Sequence, residues 1–360
     1  MTRKYSDDLR LFGSTNAKLG LLAILLLYAF VPVFVQSAFW LSVLDYAGIA
    51  AVGALGLNLL TGYTGQVSLG HAFFIGIGAY AAAKLGGPDD VGLPLPLWLL
   101  GATLMGAFVG ALIGPFALRL RGNYLAIVTL GLVFLGEHVF RNAKEITGGN
   151  SGTSVQTAST LLGADFKDLQ FLGQNFSFNQ GYFWLIWGIV GIAALLCKNL
   201  VRTRPGRAMQ AVRDRDVAAE VIGVQLGRYK VGAFAMSSGL AALAGALLGS
   251  YQQFVTPEQF NLFLSIQYIA IIIVGGVGTI FGSILGALVL GGLPGLIDQY
   301  SASIPGVTTG SGDSGFISVF SLNQAIFGLL IVLFLVFEPR GLAALWLRVK
   351  AYFKAWPFSY

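Results

Sequence analysis

The sequence predicts an all-α protein, a polytopic bundle of transmembrane helices. Of its 360 residues, 56% are hydrophobic and 11% are charged, whereas about 25% are charged in a typical soluble domain. The mean hydropathy is +0.75. Several apolar runs reach or approach the roughly 20 residues that a helix needs to cross the hydrocarbon core of a bilayer. Glycine, which is commoner in membrane helices than in soluble ones, accounts for 49 residues.

The apolar runs predict about ten crossings. The first run is too long for the core of a cleaved signal peptide, so we expect it to be retained. Residues 264–297 are too many for one untilted crossing at about 1.5 Å per residue, and a glycine cluster at 275–282 divides them into two. The expected crossings are 19–41, 43–62, 66–86, 94–118, 123–141, 181–197, 230–250, the two halves of 264–297, and 323–339.

The basic residues predict the orientation. With both termini in the cytoplasm, 18 of the 22 Lys and Arg lie on the cytoplasmic side, which is the asymmetry that orients membrane proteins. This gives a cytoplasmic N-terminal tail at 1–18, a transmembrane domain at 19–340 and a cytoplasmic C-terminal tail at 341–360. Within the domain, 142–180 forms a long outer loop and 198–230 a basic cytoplasmic segment. Topology thus explains the net charge of +6, and no nucleic-acid partner is expected.

Glycines at four-residue spacing predict close contacts between helices. Membrane helices associate through close backbone approach, because apolar side chains gain little by leaving lipid for protein. The spacing is therefore specific for packing and unspecific for function. It occurs at Gly106, Gly110 and Gly114, at Gly245 and Gly249, and at Gly282 and Gly286.

One predicted span, 66–86, begins with a polar, glycine-rich stretch. Gln66, Ser68 and His71 place hydrogen-bonding groups in an otherwise apolar segment, and Gly65 permits a break in the helix. Non-helical backbone at membrane depth is tolerated where it is buried in protein or lines a wet cavity. The stretch is therefore either part of a pathway through the membrane or a set of polar contacts between helices. His71 alone is more typical of a packing residue than of a proton relay.

Few charged side chains fall within the spans. Glu137 and Arg141 are spaced for a helical ion pair, which is either a local pair or part of the wall of an outer vestibule. Asp45 falls near the outer end of its span, where water could reach it. No series of Asp, Glu or Lys crosses the membrane interior, although proton relays in pumps rely on such groups. The sequence therefore does not favour a self-powered transporter.

The chain carries no signature of an enzyme. It has no P-loop and no Gly-Lys dipeptide, so it does not cradle nucleotide phosphates in that way. His71 and His138 have no accompanying cysteine or carboxylate cluster, so no metal site is expected. Neither a nucleophile elbow nor a pair of catalytic carboxylates is apparent. We expect no cofactor in this chain, and any energy input must come from another polypeptide.

The hydrophilic stretch 200–228 predicts a short amphipathic helix on the cytoplasmic side. Pro205 suits a first helical turn, and Gly223 suits a helix end. Asp214 and Glu220 add acidic charge among the basic residues, which suits a protein socket better than the anionic lipid that attracts basic helices. The apolar face is expected to comprise Ala208, Met209, Val212, Ala219 and Ile222.

Nine short sequence motifs occur along the chain. Each is weak alone, but together and in this order they are specific to one protein family. They are Gly56 to Gly62, Gly65 to His71, Gly76 to Tyr80, Arg121 to Leu130, Thr147 to Gly152, Arg204 to Ala208, Ala218 to Val224, Ala241 to Ala246 and Gly275 to Thr279. With these blocks, over roughly residues 50–290, the chain resembles the permease subunits of branched-chain amino acid ABC importers, of the LivM type. Ser283 departs from the family, which often has proline there, and this puts the local turn geometry in question.

The resemblance implies a heteromeric importer in the bacterial inner membrane. A homologous second permease would share the pathway, two cytoplasmic ATPase subunits would bind ATP and magnesium, and a periplasmic binding protein would deliver the substrate. The segment coupled to the ATPases is expected to include Gly206, Arg207, Asp214, Ala219, Glu220 and Gly223. We assign to the pathway, from their place in the family blocks, Gly65, Gln66, Ser68, His71 and Thr129.

The expected function is therefore transport of branched-chain or related amino acids, without covalent chemistry in this chain. One alternative keeps the architecture and changes the cargo to urea or short amides. Another is a secondary carrier or channel that works alone. A membrane-bound enzyme is disfavoured, because the chain lacks a catalytic constellation.

Overall fold

The structure is a computed structural model that describes residues 15–88, 90–118, 123–161, 164–171, 174–304, 307–308 and 317–355. Most of the predicted N-terminal tail lies outside the described residues, as do Arg119 and Arg121. The described part of the chain is mainly helical. Its helices are α1 (Thr15–Phe34), α2 (Ala38–Thr64), α3 (His71–Gly86), α4 (Leu95–Leu118), α5 (Asn123–Asn142), α6 (Lys144–Thr147), α7 (Phe178–Arg202), α8 (Arg204–Asp214), α9 (Asp216–Val221), α10 (Leu226–Gln252), α11 (Leu262–Gly275), α12 (Ile280–Leu290), α13 (Leu293–Tyr300), α14 (Val319–Phe337) and α15 (Gly341–Ala355).

The connections contain short 3-10 turns and two-residue strands. The 3-10 turns are Gly149–Ser151, Pro257–Phe260 and Ser301–Ser303. The strands are β1 (Thr153–Ser154), β2 (Thr160–Leu161), β3 (Ala164–Asp165), β4 (Gln170–Phe171), β5 (Gln174–Asn175), β6 (Phe254–Val255), β7 (Val307–Thr308) and β8 (Ile317–Ser318). They pair only two by two: β1 with β6, β2 with β3 and β4 with β5 antiparallel, and β7 with β8 parallel.

Seven stretches in the described residues are helical, long and apolar enough to cross a bilayer. They are Ala38–Thr64, Leu95–Phe116, Tyr124–Asn142, Phe178–Arg202, Leu226–Gln252, Ile280–Tyr300 and Val319–Phe337. Leu19–Phe34 and Leu262–Gly275 are apolar but shorter, and α3 has 16 residues. The prediction of a polytopic helical membrane protein is confirmed. The count of ten crossings stays a prediction.

Helix α2 runs through the middle of the bundle. In its most apolar 18-residue window 89% of the residues are buried, compared with 61% in α10 and 6% in α14. It packs against α7, α10 and α12, while α10 also packs against α3 and α4. A helix buried on every side must be apolar all round. The sequence of α2 is accordingly mostly apolar and small on every side rather than striped, and Asp45 and Asn58 are buried polar exceptions. Asp45 is fully buried, so the expectation that water could reach it is wrong.

The faces with spaced glycines meet other helices, as predicted. A Cβ atom at Gly110 in α4 would lie 2.5 Å from the hydroxyl oxygen of Ser238 in α10. A Cβ atom at Gly245 in α10 would overlap the backbone carbonyl of Ile75 in α3, and one at Gly286 in α12 would overlap a carbonyl of α11. Side chains of any size would therefore separate these helices, and glycine permits the contact.

Segments predicted for the same side of the membrane lie together at the same end of the bundle. At one end β1 pairs with β6, and the indole Nε1–H of Trp98 donates to the Ala158 carbonyl at 2.8 Å. At the opposite end the turn 276–279, between α11 and α12, adjoins Gly341 at the start of α15. This grouping agrees with the division of residues 264–297 into two helices.

Several helix boundaries differ from the predicted ones. The first predicted span, 19–41, is interrupted after Phe34, and α2 begins at Ala38 behind the extended residue Ser37. The second half of 264–297 is itself broken after Leu290, because two glycines follow it and Pro294 then occupies the first turn of α13. The predicted cytoplasmic tail 341–360 contains the helix α15, which the sequence analysis did not anticipate.

The predicted outer loop is shorter and more structured than expected. α7 begins at Phe178, since the Gln180 side chain accepts a 2.8 Å hydrogen bond from the Ser177 N–H and caps the helix. Helix α6 and the hairpins β2–β3 and β4–β5 lie within 142–180. The predicted ion pair between Glu137 and Arg141 forms, at 2.7 Å.

Candidate functional site

The predicted break at the polar stretch between α2 and α3 is confirmed. Gly65 has a φ of 71° and ends α2, and its N–H returns to the Leu60 carbonyl. The left-handed conformation favours glycine because a Cβ atom is strained there. Residues 66–70 are non-helical, and α3 begins at His71 rather than at the predicted residue 66.

The polar side chains of this break bond within the protein. Gln66 and Ser68 are buried. The Gln66 amide donates to Thr64 Oγ1 at 3.2 Å and to the Lys230 carbonyl at 3.4 Å, and the Ser68 hydroxyl accepts the Gly70 N–H at 3.2 Å. These bonds agree with polar contacts between helices, and the assignment to a pathway stays a prediction.

Thr129 of α5 supports the same break from the other side. Its hydroxyl accepts the Leu69 N–H at 2.9 Å and can donate to the Leu125 carbonyl at 3.0 Å. The residue is fully buried. A Cβ atom at Gly70 would lie 2.9 Å from the Thr129 carbonyl oxygen, so the two backbones are in close contact. The structure therefore brings Thr129 to the break through Leu69 and Gly70, which sequence alone could not do.

His71 is enclosed between α2 and α11. It is 2% exposed, its ring centroid lies 4.9 Å from that of Tyr268, and its Nε2 has no hydrogen-bond partner among the described residues. The N–H of the next residue, Ala72, donates to Ser265 Oγ at 2.9 Å. The position agrees with the interpretation of His71 as a packing residue.

Substitution of Thr129 by valine tests whether the hydroxyl holds the break. Valine keeps the shape but leaves the Leu69 N–H without its acceptor, which costs about 1–3 kcal/mol for a buried group. We expect a clear fall in the thermal unfolding midpoint of the purified protein in detergent. Thr103→Val is the matched control, because within the described parts of the chain the Thr103 hydroxyl bonds only to the Leu99 carbonyl of its own helix. Equal effects from both substitutions would contradict this role.

The cytoplasmic segment forms two helices, and the prediction of one short helix within 200–228, from about Pro205 to Gly223, is wrong. α8 ends at Asp214, Arg215 is extended with a φ of −158°, and α9 starts at Asp216. The Asp216 carboxylate accepts the N–H of Val217 at 2.9 Å, a local bond that competes with continuation of the helix. Pro205 lies in the first turn of α8, and Gly223, with a φ of 88°, follows α9, as predicted.

The break also changes which side chains are buried. Met209, Val212 and Ala219 are buried and Ala208 is half-buried, as expected. Ile222, expected on the same face, is 77% exposed. Helical spacing does not extend across the extended Arg215, which is why the prediction for Ile222 is wrong.

Gly206 fixes α8 against the preceding helix. A Cβ atom there would overlap the Leu200 carbonyl and would lie 2.5 Å from the Val201 carbonyl carbon. The other residues assigned to coupling lie mostly at the surface: Arg207, Asp214, Glu220 and Gly223 are exposed and Ala219 is buried beneath them. The segment therefore presents a charged surface.

An apolar patch lies beside these charges. Val217, Val221 and Ile222 are 68%, 83% and 77% exposed, and we call these three residues the α9 patch. Apolar side chains grouped this way on a polar segment mark a contact site for another protein or a membrane. Helical spacing in the sequence does not reveal this patch, because it places Ile222 on the buried face.

Arg213 ties α8 to the end of α2, a contact that the sequence does not predict. Its Nη1 donates to the Gly62 carbonyl at 2.7 Å, and its Nε donates to Asp214 Oδ1 at 3.0 Å. A Cβ atom at Gly65 would lie 3.1 Å from the Arg213 side chain. A cation at the C-terminus of a helix is favoured by the exposed carbonyls there.

Asn58 connects the end of α2 to the turn between α11 and α12. Its amide donates to the Thr279 carbonyl at 2.9 Å and to Ser283 Oγ at 2.8 Å, and its Oδ1 accepts the Gly278 N–H at 2.8 Å. We call Asn58, Gly62, Gly278 and the Arg213 side chain the α2 junction. Ser283, where the family often has proline, therefore supplies a hydrogen-bond acceptor to it.

Comparison with known proteins places the chain among transport proteins. The model of the family described as "Branched-chain amino acid transport system / permease component" matches residues 39–335. The chain belongs to this family. It is therefore a permease component with several membrane-spanning helices. The matched region holds all but the first residue of α2, every helix from α3 to α13 and most of α14. It therefore includes the break, the cytoplasmic segment and the α2 junction.

Several curated permeases are similar to this family member. It is 35% identical to the high-affinity branched-chain amino acid transport system permease protein LivM of Escherichia coli K12 over 292 residues, 77% of this chain and 68% of that protein. It is 25% identical to a probable LivM of Methanocaldococcus jannaschii, over 83% of this chain and 92% of that one. The LivH permease of Escherichia coli K12 is 24% identical, over 67% and 79%. No solved structure matches.

Proposed function

We propose that this chain is one permease subunit of an ATP-driven importer for branched-chain or related amino acids, in the inner membrane of a bacterium. The observation that carries the proposal is the cytoplasmic segment. It joins an exposed surface, suited to a soluble partner, directly to the end of the most buried helix through Arg213. The sequence has no nucleotide-binding loop of its own, so the energy would enter through this surface. The similarity to the LivM permeases supports the cargo class.

The similarity to two kinds of permease supports a heteromeric pathway. LivM and LivH proteins both match this chain, which suits a pair of homologous permeases that pack against each other. The ten-crossing topology, with both termini in the cytoplasm, is supported by the way predicted inner and outer segments gather at opposite ends of the bundle. A periplasmic binding protein would then meet the outer loop 142–180, and two ATPase subunits would meet α8 and α9.

The proposed mechanism is a shift between outward- and inward-facing populations. A partner can shift such an equilibrium only if it contacts the two states differently. ATP and magnesium, bound in the ATPase subunits, would change the position of α8, and the α2 junction would transmit that change to α2 and to the turn before α12. The side chains of this chain would position the substrate and seal the pathway, and they would take no part in covalent chemistry.

The α9 patch supplies a test of the ATPase contact. Ile222→Asp puts a charge at its centre, and a charge buried in an apolar interface without a partner is strongly unfavourable. We expect at least a tenfold loss of ATPase subunits that co-purify with the chain from native membranes. Ile146→Asp is the matched control, because Ile146 is 55% exposed in the outer loop. Unchanged co-purification with Ile222→Asp would reject this face as the docking site.

Transport itself is tested with the purified assembly in liposomes. Leucine uptake should require ATP and all partner subunits, and excess urea should not compete. Competition by urea would favour the short-amide cargo instead. Leucine uptake by this chain alone, without ATPase subunits, would show a secondary carrier or channel and would reject the proposal.

A further inference from the structure

Helix α15 presents an apolar face at the surface of the bundle. The helix lies beyond the region matched by the family model, which ends at residue 335, so membership of the family does not explain it. Four side chains at i, i+1, i+4 and i+7 spacing share one side of the helix, and we call them the α15 face. They are Leu345, Trp346, Val349 and Tyr352, which are 38%, 54%, 47% and 60% exposed.

The first turn of α15 is fixed against the bundle. A Cβ atom at Gly341 would lie 2.6 Å from the backbone nitrogen of Gly276, in the turn between α11 and α12. Ala343, in the same turn of α15, is buried, and the helix packs against both α11 and α12. The place of α15 at the end predicted to face the cytoplasm is therefore determined by the fold.

Two further contacts place the middle of α15 beside the ends of two membrane spans. The Trp346 ring centroid lies 6.0 Å from that of Phe281, in the first turn of α12, and Phe281 is 45% exposed. The Arg348 guanidinium donates to both carboxylate oxygens of Glu338, at 2.8 and 2.9 Å, and Glu338 directly follows α14. The α15 face therefore lies where the hydrocarbon core meets water, a level at which Trp and Tyr are enriched. The lipid that covers Phe281 adjoins this face.

The charge around the α15 face has one sign. Residues 339–360 contain four basic residues and no Asp or Glu. Arg340 and Lys350 are exposed, whereas Arg348 is paired with Glu338. Residues 204–221, by contrast, mix their arginines with three acidic residues, which suits a protein partner. A basic helix with an aliphatic and aromatic face is typical of binding to an anionic membrane surface, so the charge favours lipid over protein at α15.

We propose that α15 lies in the cytoplasmic interface of the membrane and binds anionic phospholipid headgroups through Arg340 and Lys350. The α15 face enters the boundary between headgroups and acyl chains, and the two cations meet the phosphate groups. The cytoplasmic leaflet carries the negative surface potential that attracts such cations. The inference depends neither on the cargo nor on the ATPase contact proposed above.

Quenching by brominated lipid tests the position of the α15 face. A bimane fluorophore is attached to the whole chain at Val349→Cys, and the native Cys197 is buried, which keeps background labelling low. The labelled chain is reconstituted in vesicles of phosphatidylcholine with brominated acyl chains. We expect quenching comparable with that at Val336→Cys, a 69% exposed position in α14, and little quenching at Glu220→Cys, an exposed position in α9.

Two outcomes of this measurement would reject the interfacial position. One is quenching at Val349→Cys that is no stronger than at Glu220→Cys. The other is quenching that disappears when the co-purified partner subunits are present, because a protein would then cover the face.

Headgroup recognition is tested in mixed vesicles of phosphatidylcholine and phosphatidylglycerol, with only one of the two lipids brominated at a time. We expect phosphatidylglycerol to quench the Val349→Cys label more than its share of the lipid predicts. One Lys or Arg near an anionic surface changes binding about fivefold. Lys350→Gln should therefore lower this preference about fivefold, and Arg340→Gln with Lys350→Gln should abolish it.

The control for headgroup recognition is Arg215→Gln, which removes an exposed arginine from the cytoplasmic segment and should leave the preference unchanged. Quenching by brominated phosphatidylcholine should persist in every variant, because the apolar face is unaltered and α15 stays in place. Equal quenching by the two lipids in the otherwise unmodified chain would overturn the inference. A preference for phosphatidylglycerol that survives the double substitution would overturn it as well.

Discussion

Gly245→Ala is expected to prevent most of the protein from reaching a stable folded state. The added methyl group would overlap the Ile75 carbonyl. In the same way, a Cβ atom at Gly78 on the facing helix α3 would overlap the Ala242 carbonyl. The obstructing atoms are backbone, so no side-chain rotation relieves the contact, and α3 and α10 must separate. Overpacking costs about 1–3 kcal/mol and occasionally more, and this contact belongs at the upper end. The measurement is the monodisperse fraction on size exclusion after heating in detergent.

Gly191→Ala is the matched control for this result. Gly191 lies within α7, and no described atom beyond its own turn of helix would lie within 4 Å of an added Cβ. Alanine favours the helix by up to about 1 kcal/mol relative to glycine, so this variant should be as stable as the unchanged protein or more so. A Gly245→Ala protein that stays monodisperse at the same temperature as Gly191→Ala would contradict the close contact.

The packing of these helices could be predicted in part. The four-residue spacing of Gly106, Gly110 and Gly114 identifies a contact face, because that spacing places the three on one side of a helix. The spacing does not indicate which helix packs against this face. That helix is α10, which lies more than 100 residues further along the chain. The identity of the partner depends on how all helices fill the bundle together, and local periodicity does not encode that.

The site could be predicted less completely than the fold. Gly65 and its polar neighbours were identified because glycine and hydrogen-bonding groups are conspicuous in an apolar span. Arg213 was not distinguished from Arg207 and Arg215, since all three are arginines in one basic segment. The backbone leaves the helical conformation at Arg215, where α8 ends, and only the fold brings the Gly62 carbonyl to Arg213. The break between α8 and α9 therefore determines both the exposed α9 patch and the contact between Arg213 and Gly62.

Arg213→Ala is expected to separate ATP hydrolysis from transport. It removes the 2.7 Å bond to the Gly62 carbonyl, and a hydrogen bond with a charged group contributes about 1.5–3 kcal/mol. If the α2 junction transmits the movement of α8, a loss of this size corresponds to at least a tenfold fall in leucine uptake for each ATP hydrolysed.

The ATPase subunits should remain bound to the Arg213→Ala protein, because its guanidinium faces α2 whereas the α9 patch is unaltered. Co-purification therefore distinguishes a failure of transmission from a failure of docking. Arg215→Ala is the control, since Arg215 is an exposed arginine in the same segment, two residues from Arg213, and should leave the ratio of uptake to hydrolysis unchanged. If Arg213→Ala kept that ratio as well, α8 would not act through the end of α2, and the movement would have to reach the pathway through the contacts of α8 with α7 and α10 instead.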